Sequence, residues 1–425
     1  MISAFFSKLQ TILKDRVLRR KIGFVLGMLI IFRILATVPI PGVDRIQLES
    51  FLAQNEFLSF LNIFSGGGLS ALSVVMLGVG PYITASIIMQ LMTLVSSRVK
   101  EMYQENGEAG RKKFSKVTRL IALPIALLQS FGFLLLLQQQ GVLNADLAIG
   151  VMATNIIAVT AGSFLLMWVG ELATEFGIGN GVSLIIFAGI VASVPGIVAQ
   201  VIATYDPTQL PTLIAYGAVG LAIILFVVLV SEAERPIQVT YAKQTRGNKT
   251  YGGTSTYLPL RVNQAGVIPI IFAISLLLFP TMLASILSKV DNATIQSILT
   301  NVTEFLANGL YYGITYFVLV VLFTFFYTAV TFDPESISKN LQRGGAFIAG
   351  VRPGEQTEEY LSKVLLRITL IGALFLGSIA VLPLIVAHYA QLPGLTIGGT
   401  SLLIVVSVVI DLIKKTDAQL SMREY

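Results

Sequence analysis

The sequence contains no cysteine and only one histidine, His388, among its 425 residues. The absence of cysteine excludes disulfides, thiolate catalysis and cysteine-ligated metal sites, and one histidine cannot form a histidine cluster. Charged residues are scarce as well, since they make up 12% of the chain, against about 25% in ordinary soluble domains. The sequence is therefore poor in the side chains on which enzyme chemistry and ion coupling depend.

The apolar stretches contain no pair of carboxylates and no acid and base at helical spacing. Gly66-Gly67-Gly68 is not a phosphate cradle, because no Lys-Ser/Thr pair of a nucleotide-binding loop follows it. Nothing in the sequence argues for an enzyme, for a bound metal or for a cofactor.

Apolar residues are abundant, at 55% of the chain, and the mean hydropathy is +0.80. They form runs of about 20 residues rich in Leu, Ile and Val, the length that a membrane-spanning helix requires, and they lack the ten-residue alternation of a barrel. We therefore predict an all-α, polytopic membrane protein with ten transmembrane helices. The predicted spans are 22–38, 74–95, 117–137, 149–170, 181–203, 212–231, 264–287, 309–330, 364–388 and 396–413.

Basic residues lie almost entirely on one side of these spans. Of the 29 Lys and Arg residues, 24 fall in the N-terminal tail 1–21, in the loops after the even-numbered spans, and in the C-terminal tail 414–425. The loops on the other side contain only Arg45 and Lys289. Because cytoplasmic loops carry the excess of positive charge, we predict that both termini are cytoplasmic.

Ten spans divide into two halves of five, residues 22–205 and 206–413. An odd number of spans in each half makes the second half enter from the opposite face, which is the arrangement of inverted repeats. The loop TYDPTQLP, at 204–211, would join the halves.

The stretch 57–95 is about twice the length of one span and is interrupted at Ser65-Gly66-Gly67-Gly68 and again at Gly78-Val79-Gly80-Pro81. Broken backbone at membrane depth is expected only inside protein or facing water. We interpret the stretch as a half-helix, a flexible break and a full span. An interfacial helix followed by an ordinary span is the alternative.

Two predicted cytoplasmic loops, 232–263 and 331–363, are long and basic. In the first loop, basic residues nearly alternate with β-branched and aromatic residues, a pattern that is typical of a hairpin, here turning at Arg246-Gly247-Asn248. In the second, Arg343-Gly344-Gly345 predicts a helix end and Arg352-Pro353-Gly354 a turn. Such loops set topology and contact anionic lipid, and their length also indicates a docking surface for an acidic partner.

These features are compatible with two classes of function, a passive channel and a secondary transporter of the inverted-repeat type. A transporter needs ionisable ligands near the middle of the membrane. The predicted spans contain few such groups. Arg33, Arg119 and Arg367 lie within or at the edge of spans, Glu171 and Glu175 lie at the cytoplasmic end of the fourth, and Asp411 lies near the end of the tenth. The scarcity of ionisable groups in the spans favours the passive channel, but the residues alone do not exclude the transporter.

Five stretches resemble the signature sequences of the SecY/Sec61-alpha family, whose members form the pore of the Sec translocon. They are GGGLSALSVVMLGVGPYITASIIMQLM, FGIGNGVSLIIFAGIVASVPG, NQAGVIPIIFA, GVRPGEQT and GGTSLLIVVSVVID. The resemblance runs from about residue 15 to the C-terminus, in the same order and with the same ten-span layout. It implies a protein-conducting channel of the bacterial cytoplasmic membrane that translocates unfolded secretory polypeptides and releases transmembrane segments sideways into lipid.

The resemblance also implies roles for individual residues. A half-helix at 57–72 would be a plug that closes a central pore, with Gly66, Gly67 and Gly68 as its hinge. A constriction ring would consist of Val79, Ile83, Val182, Ile186, Ile271 and Ile404. A lateral gate, between the second and third spans on one side and the seventh and eighth on the other, would carry the polar residues Gln90 and Asn263. Docking of partners would use Lys243, Arg246, Lys249 and Arg352.

The partners implied by the resemblance are the small subunits SecE and SecG, the SecA motor ATPase, the ribosome, unfolded preproteins with a signal peptide, and membrane lipids. In that arrangement SecA or the translating ribosome supplies the energy, and the channel itself is passive.

Overall fold

The computed structural model describes residues 14–42, 47–48, 62, 65, 67–105, 107–144, 148–203, 210–241, 244–246, 249–251, 255–287, 293–390 and 399–424. Within these residues, each of the ten predicted spans overlaps a helix, although the second span is helical only from Gly80 onward. The helices are α1 (Arg16–Ala36), α2 (Gly80–Val95), α3 (Gly107–Gln139), α4 (Ile149–Phe176), α5 (Gly181–Ala203), α6 (Leu210–Glu232), α7 (Ile268–Leu287), α8 (Gly309–Thr331), α9 (Glu355–Ala390) and α10 (Gly399–Glu424). Shorter helices are Ser97–Lys100, the π-helix Glu101–Glu105, Ala293–Ala307 and Pro334–Arg343.

Four of the described helical segments are long and apolar enough to cross a membrane by themselves: Gly107–Gln139, Ile149–Phe176, Gly309–Arg343 and Glu355–Leu382. A fifth is added if Gly80–Val95 and Ser97–Tyr103, which are bent by 119° at a short break, form one span. The chain is therefore a helical, multi-pass membrane protein, as predicted. The count of ten spans stays a prediction.

The second predicted span, 74–95, is only partly helical. The residues before α2 form a series of turns over 67–79, called here the turn segment, in which Gly67 and Gly78 have φ values of 80° and 57°. The helix starts at Gly80, with Pro81 in its first turn, where the missing proline N–H costs no hydrogen bond. Half of the predicted half-helix 57–72, namely residues 57–61, 63–64 and 66, lies outside the described residues.

The expectation of an all-α fold is incomplete, because the two long loops 232–263 and 331–363 contain strands. These strands are β1 (Glu234–Tyr241), β2 (Gln244–Arg246), β3 (Lys249–Tyr251), β4 (Ser255–Arg261) and β5 (Ala346–Ile348). Glu234 lies opposite Arg261, and Arg246 lies opposite Lys249 in the same register, so that β1 to β4 form the predicted hairpin. The sequence did not predict β5, which pairs antiparallel with the other side of β1.

The small sheet packs on the N-terminal part of α9 through its own apolar core. Ile237, Val239 and Leu260 of the hairpin and Ile348 of β5 are buried together with Leu361 of α9. Strands β1 and β4 come from the first loop and β5 from the second, in the order β4-β1-β5. The two loops therefore fold together into one structural unit.

The ten helices pack in two groups in sequence order. Helices α1 to α5 contact one another, as do α6 to α10. The groups meet along two seams, where α7 packs against α2 and α3 with α8 against α2, and where α10 packs against α5. The main apolar core lies between the groups and contains side chains from both.

Candidate pore, plug seat and docking surface

A cavity of about 70 Å³ lies where the turn segment meets the two groups of helices. Its wall is mostly apolar and comes from the turn segment and from α2, α3, α5 and α7. The lining residues are Ser65, Leu69, Met76, Leu77, Val79, Gly80, Ile83, Thr84, Gln129, Phe133, Ile186, Ile271, Ile274 and Ser275. It is far smaller than the pockets of about 300–1,000 Å³ that hold drug-sized ligands, and an extended peptide does not fit.

The six predicted ring residues belong to one apolar cluster. Val79, Ile186, Ile271 and Ile404 are buried in it, while Ile83 and Val182 are partly buried and pack against it. They come from the start of α2 and from α5, α7 and α10, so both groups of helices contribute. Val79, Ile83, Ile186 and Ile271 line the cavity.

Val182 is placed differently from the cavity-lining residues. Its Cγ2 atom lies 3.2 Å from the position that a Cβ on Gly170 of α4 would occupy. This close approach of α5 to α4 favours a small residue at position 170, and it packs α5 within the first group of helices.

The two predicted gate residues lie in different surroundings. The side-chain amide of Gln90 donates a hydrogen bond to Ser86 Oγ on the same helix, at 3.2 Å. Asn263 precedes α7 and lies beside Gly372 of α9. Among the described residues, the buried side-chain oxygens of Gln90 and Asn263 have no hydrogen-bond partner, and such groups are costly inside a protein.

Polar residues that the gate prediction missed lie at the cavity. Gln129 of α3 is buried and donates to Thr84 Oγ1 of α2 over 3.5 Å, a long hydrogen bond. Ser275 of α7 lines the same cavity. In the sequence, only Gln129 stood out among these polar residues, because a glutamine is unusual in an apolar span. Thr84 and Ser275 gave no signal, since Thr and Ser are ordinary residues in membrane helices.

The turn segment is attached to the end of α1. Pro39 and Ser73 form an antiparallel bridge, with Ile40 N–H donating to the Leu72 carbonyl and Val74 N–H to the Val38 carbonyl, both at 2.9 Å. Leu69, Leu72 and Met76 are buried with Ile40 and Leu48 in a second apolar cluster, to which Phe133 of α3 and Val159 of α4 also belong.

Two glycines allow this seating. A Cβ on Gly68 would lie 3.0 Å from Ser73 Oγ and 3.1 Å from the Ser65 carbonyl. A Cβ on Gly162 of α4 would collide with the backbone carbonyl of Val74. The absence of side chains at both positions lets the turn segment lie directly against α4.

Arg352 lies on the structural unit formed by the two long loops, exposed in the turn between β5 and α9. Its carbonyl accepts a hydrogen bond from Thr357 Oγ1 at 2.8 Å, and Ser338 Oγ donates to the Gly354 carbonyl at 2.6 Å. Gly354 has a φ of 99°, a backbone conformation that favours glycine. The turn is therefore held at both ends while the guanidinium faces solvent.

The other predicted docking residues belong to the tip of the hairpin. Arg246 ends β2 and lies opposite Lys249, the first residue of β3, whereas Lys243 lies outside the described residues. Cation density continues on the neighbouring helix Pro334–Arg343, in which Lys339 is paired with Glu335 at 2.5 Å. The hydrogen bond and the negative charge of Glu335 raise the pKa of Lys339 above its usual value, and the carboxylate offsets the charge of this lysine.

Charged contacts elsewhere join helices. Arg119 Nε of α3 lies 2.7 Å from Glu171 Oε1 of α4, and Lys414 Nζ of α10 lies 2.6 Å from Glu232 Oε1 of α6. Over the described part of the chain, no group of three His, Asp or Glu residues is arranged to hold a metal ion. The site offers apolar packing and solvent-exposed positive charge.

Two groups of apolar helices around a central, mostly apolar constriction define a helical, multi-pass membrane channel. The family model described as SecY matches residues 73–413. The SecY subunit of the protein translocase of Mycobacterium bovis is 41% identical over 445 aligned residues, covering 100% of this chain and 99% of the relative. The corresponding Escherichia coli K12 subunit is 42% identical over 418 residues, covering 96% and 93%. The chain therefore belongs to the SecY family.

Solved structures have the same fold. A structure described as that of a protein conducting channel matches with a TM-score of 0.62 at 20% identity, covering 95% of this chain and 93% of the other. A SecY structure, whose plug domain is described as maintaining a membrane seal, matches with a TM-score of 0.64 at 21% identity over the same shares. Sec61 from a canine ribosome-channel complex matches with a TM-score of 0.59 at 18% identity.

Proposed function

We propose that this chain is the pore subunit of a bacterial protein translocase, which passes unfolded secretory polypeptides across the cytoplasmic membrane. The convergence of Val79, Ile83, Ile186 and Ile271 on one cavity beside the turn segment carries the proposal. These branched aliphatic residues come from three separate parts of the chain, and they meet where the two groups of helices face each other.

An apolar ring suits a channel that must accept polypeptides of every composition. Charged groups in the constriction would retain some sequences and repel others, whereas aliphatic side chains hold none of them strongly. A constriction of this kind excludes water and ions when it closes. Val79, Ile83, Val182, Ile186, Ile271 and Ile404 would form that ring, with the plug 57–72 above it and the hinge at Gly66, Gly67 and Gly68.

The proposed topology places ten spans in two inverted halves, 22–205 and 206–413, with both tails, 1–21 and 414–425, in the cytoplasm. The ten helices, their division into two packing groups, and the 24 basic residues on one side support it. The hairpin and β5 then extend into the cytoplasm with Arg352.

Lateral release of transmembrane segments would occur between α2 and α3 on one side and α7 and α8 on the other. Gln90 and Asn263 would contribute polar groups to this gate, joined by Gln129, Thr84 and Ser275 at the cavity. A seam whose hydrogen bonds are few and long separates at low cost. An apolar signal helix would then reach lipid, while a charged segment would stay in the aqueous path.

Docking would take place on the cytoplasmic unit, through Lys243, Arg246, Lys249 and Arg352. A guanidinium binds carboxylate and phosphate in a bidentate manner, which suits both the SecA ATPase and ribosomal RNA. SecA or the ribosome would drive transport, SecE and SecG would complete the membrane complex, and this chain would be a passive conductor with no catalytic step of its own.

Crosslinking in a chain that lacks cysteine tests the proposal. Ile83→Cys would be combined with a single cysteine in a stalled preprotein, held by SecA in membrane vesicles. We expect a crosslink that requires both ATP and a signal sequence. Ile88→Cys is the matched control, because Ile88 belongs to the same helix but is exposed on its outer side.

Equal crosslinking at the two positions, or none at Ile83→Cys in vesicles that still translocate, would refute the proposed path. The transporter interpretation would then have to be reconsidered.

A further inference from the structure

The helix Ala293–Ala307, called here the connecting helix, follows α7 and precedes α8, and it packs against both. Leu299, Val302 and Leu306 are half-buried on one of its faces, and Leu306 packs against the main apolar core. Their spacing of three and four residues is that of a single helix face. The rest of the protein therefore covers this face.

Beside the covered face lies an apolar edge that is exposed in the described part of the chain. Ile298 is 57% exposed and Phe305 is 45% exposed. Seven residues make almost two full turns, so these side chains lie one above the other along the helix. The opposite side of the helix is polar and exposed, with Gln296, Ser297, Thr300, Asn301, Thr303 and Glu304. An apolar side and a polar side of this kind are typical of a helix that lies in a membrane interface.

The connecting helix is joined to α8 through a single residue and a pair of stacked rings. Asn308 N–H donates to the Glu304 carbonyl at 3.2 Å, and Asn308 Oδ1 accepts from Leu310 N–H at 3.1 Å. Asn308 thus ends one helix and caps the next. The ring of Phe305 stacks on that of Tyr311, with centroids 5.2 Å apart and planes inclined by 7°. These contacts fix the angle between the two helices.

The apolar edge continues into an exposed apolar face of α8. Leu310, Ile314 and Val318 are exposed, and their four-residue spacing places them on one face of the helix. Because α8 belongs to a segment long and apolar enough to cross a membrane, this face contacts lipid. The stacked rings of Phe305 and Tyr311 lie at the end of that face, where aromatic residues accumulate at the boundary between membrane and water.

The charge of the region decides what kind of lipid contact is possible. The sequence has no Lys, Arg or His between Lys289 and Lys339, and Glu304 is the one charged residue of the connecting helix. Interfacial helices that are attracted to anionic lipid carry Lys and Arg on the polar face. The connecting helix lacks these cations, so its contact would depend on insertion of apolar and aromatic side chains and not on headgroup charge.

We propose that the connecting helix lies in the interface of the outer leaflet, with Ile298 and Phe305 inserted between phospholipids. Its polar side would face water. The choice of leaflet rests on the proposed topology, in which both termini are cytoplasmic. Through Asn308 and the stacked rings, the connecting helix sets the depth of α8, one of the helices of the proposed gate, in the bilayer.

Tryptophan fluorescence tests the lipid contact, because the chain contains one tryptophan, Trp168. The assembled translocase, with Trp168→Phe and the reporter Phe305→Trp, would be placed in vesicles of phosphatidylcholine brominated on the upper part of its acyl chains. Thr300→Trp is the matched control, since Thr300 is exposed on the polar side. We expect about fivefold stronger quenching of the Phe305→Trp reporter, because the apolar side of an interfacial helix lies about 5–10 Å inside the boundary.

Ile298→Trp provides a second reporter on the same edge and should be quenched like Phe305→Trp. Phosphatidylcholine brominated near the chain ends should quench both reporters less. Equal quenching of the edge reporters and the Thr300→Trp control would overturn the proposed orientation. Weak quenching of both edge reporters would overturn the lipid contact, with blue-shifted emission showing that a protein covers the edge and red-shifted emission showing water. Quenching that requires anionic lipid would also overturn the proposal, because the helix has no cation.

A thiol in the cysteine-free chain tests the leaflet separately. A membrane-impermeant maleimide should label Thr300→Cys from the outer side only. Labelling from the cytoplasmic side would overturn the proposed topology together with the outer-leaflet placement, whereas weak quenching combined with outer labelling would overturn the lipid contact alone. Neither measurement uses a preprotein, so failure here is distinct from failure of the crosslink at Ile83→Cys, which tests the channel itself.

Discussion

The predicted consequence of truncating Ile186 follows from its place in the proposed constriction. Ile186 is 1% exposed and lines the cavity, and its neighbour Ile185 is 2% exposed and does not. Ile185 Cδ1 instead lies 3.3 Å from the Cβ position of Gly170 on α4. The two isoleucines are therefore equally buried in the same helix, but only Ile186 faces the opposing group of helices.

Opening of the pore would expose Ile186 to the aqueous path, so its burial stabilises the closed arrangement. Full burial of an isoleucine side chain is worth about 1.5–3 kcal/mol. Ile186→Ala should remove roughly 2 kcal/mol of that preference, which shifts the ratio of closed to open channels by about thirtyfold. Ile185→Ala loses the same apolar surface within one group of helices, so it should destabilise the fold without favouring the open state.

The assay is ion conductance of purified channels in planar bilayers without substrate. Ile186→Ala should raise the resting open probability, while Ile185→Ala should remain close to the parent. Equal leaks in both variants would show that general loosening of α5, and not loss of the ring, causes the effect. An unchanged leak in Ile186→Ala would remove Ile186 from the ring.

Three further predictions follow from close contacts and exposed charge. Gly162→Ala should cost about 1–3 kcal/mol, because the new Cβ displaces the Val74 carbonyl, and a lower melting temperature in detergent would show it. Arg352→Lys should weaken SecA binding by about tenfold through loss of the bidentate contact, measured as a Kd on vesicles. Gly372→Val should impair translocation, because the new side chain would collide with the Val262 carbonyl beneath the sheet. It should leave the affinity for SecA unchanged, and a changed affinity would contradict the prediction.

The helices could be predicted from the sequence because hydropathy and length are local properties. The start of α2 could not, because residues 67–79 are as apolar as the helix they precede. Only the glycines and Pro81 signal the change, and they fit both a broken helix and a run of turns. The hairpin was predictable from alternation around its tip, whereas β5 has three residues and its pairing with β1 spans about a hundred residues of sequence.

The candidate ring shows a different limit of sequence reasoning. Spacing of Val79 with Ile83 and of Val182 with Ile186 places each pair on one helix face, but any apolar helix offers such pairs. The family resemblance, and not the spacing, selected them. Gln129, Thr84 and Ser275 were missed as a group because their proximity arises only when α2, α3 and α7 pack together.

The unit formed by the two long loops would connect the proposed docking surface to the proposed gate by a short path. The hairpin ends at Arg261 and α7 begins at Ile268, and the residues between them include Val262, whose carbonyl is packed against Gly372 of α9. The sheet is itself fixed to α9 by a shared apolar core. Because packed elements shift between discrete arrangements and do not deform smoothly, we expect a displacement of the sheet to reach the first turn of α7 through this contact. The valine side chain of Gly372→Val would separate the sheet from α9 without touching the exposed cations. The variant therefore distinguishes the coupling between sheet and helix from the binding of a partner to those cations.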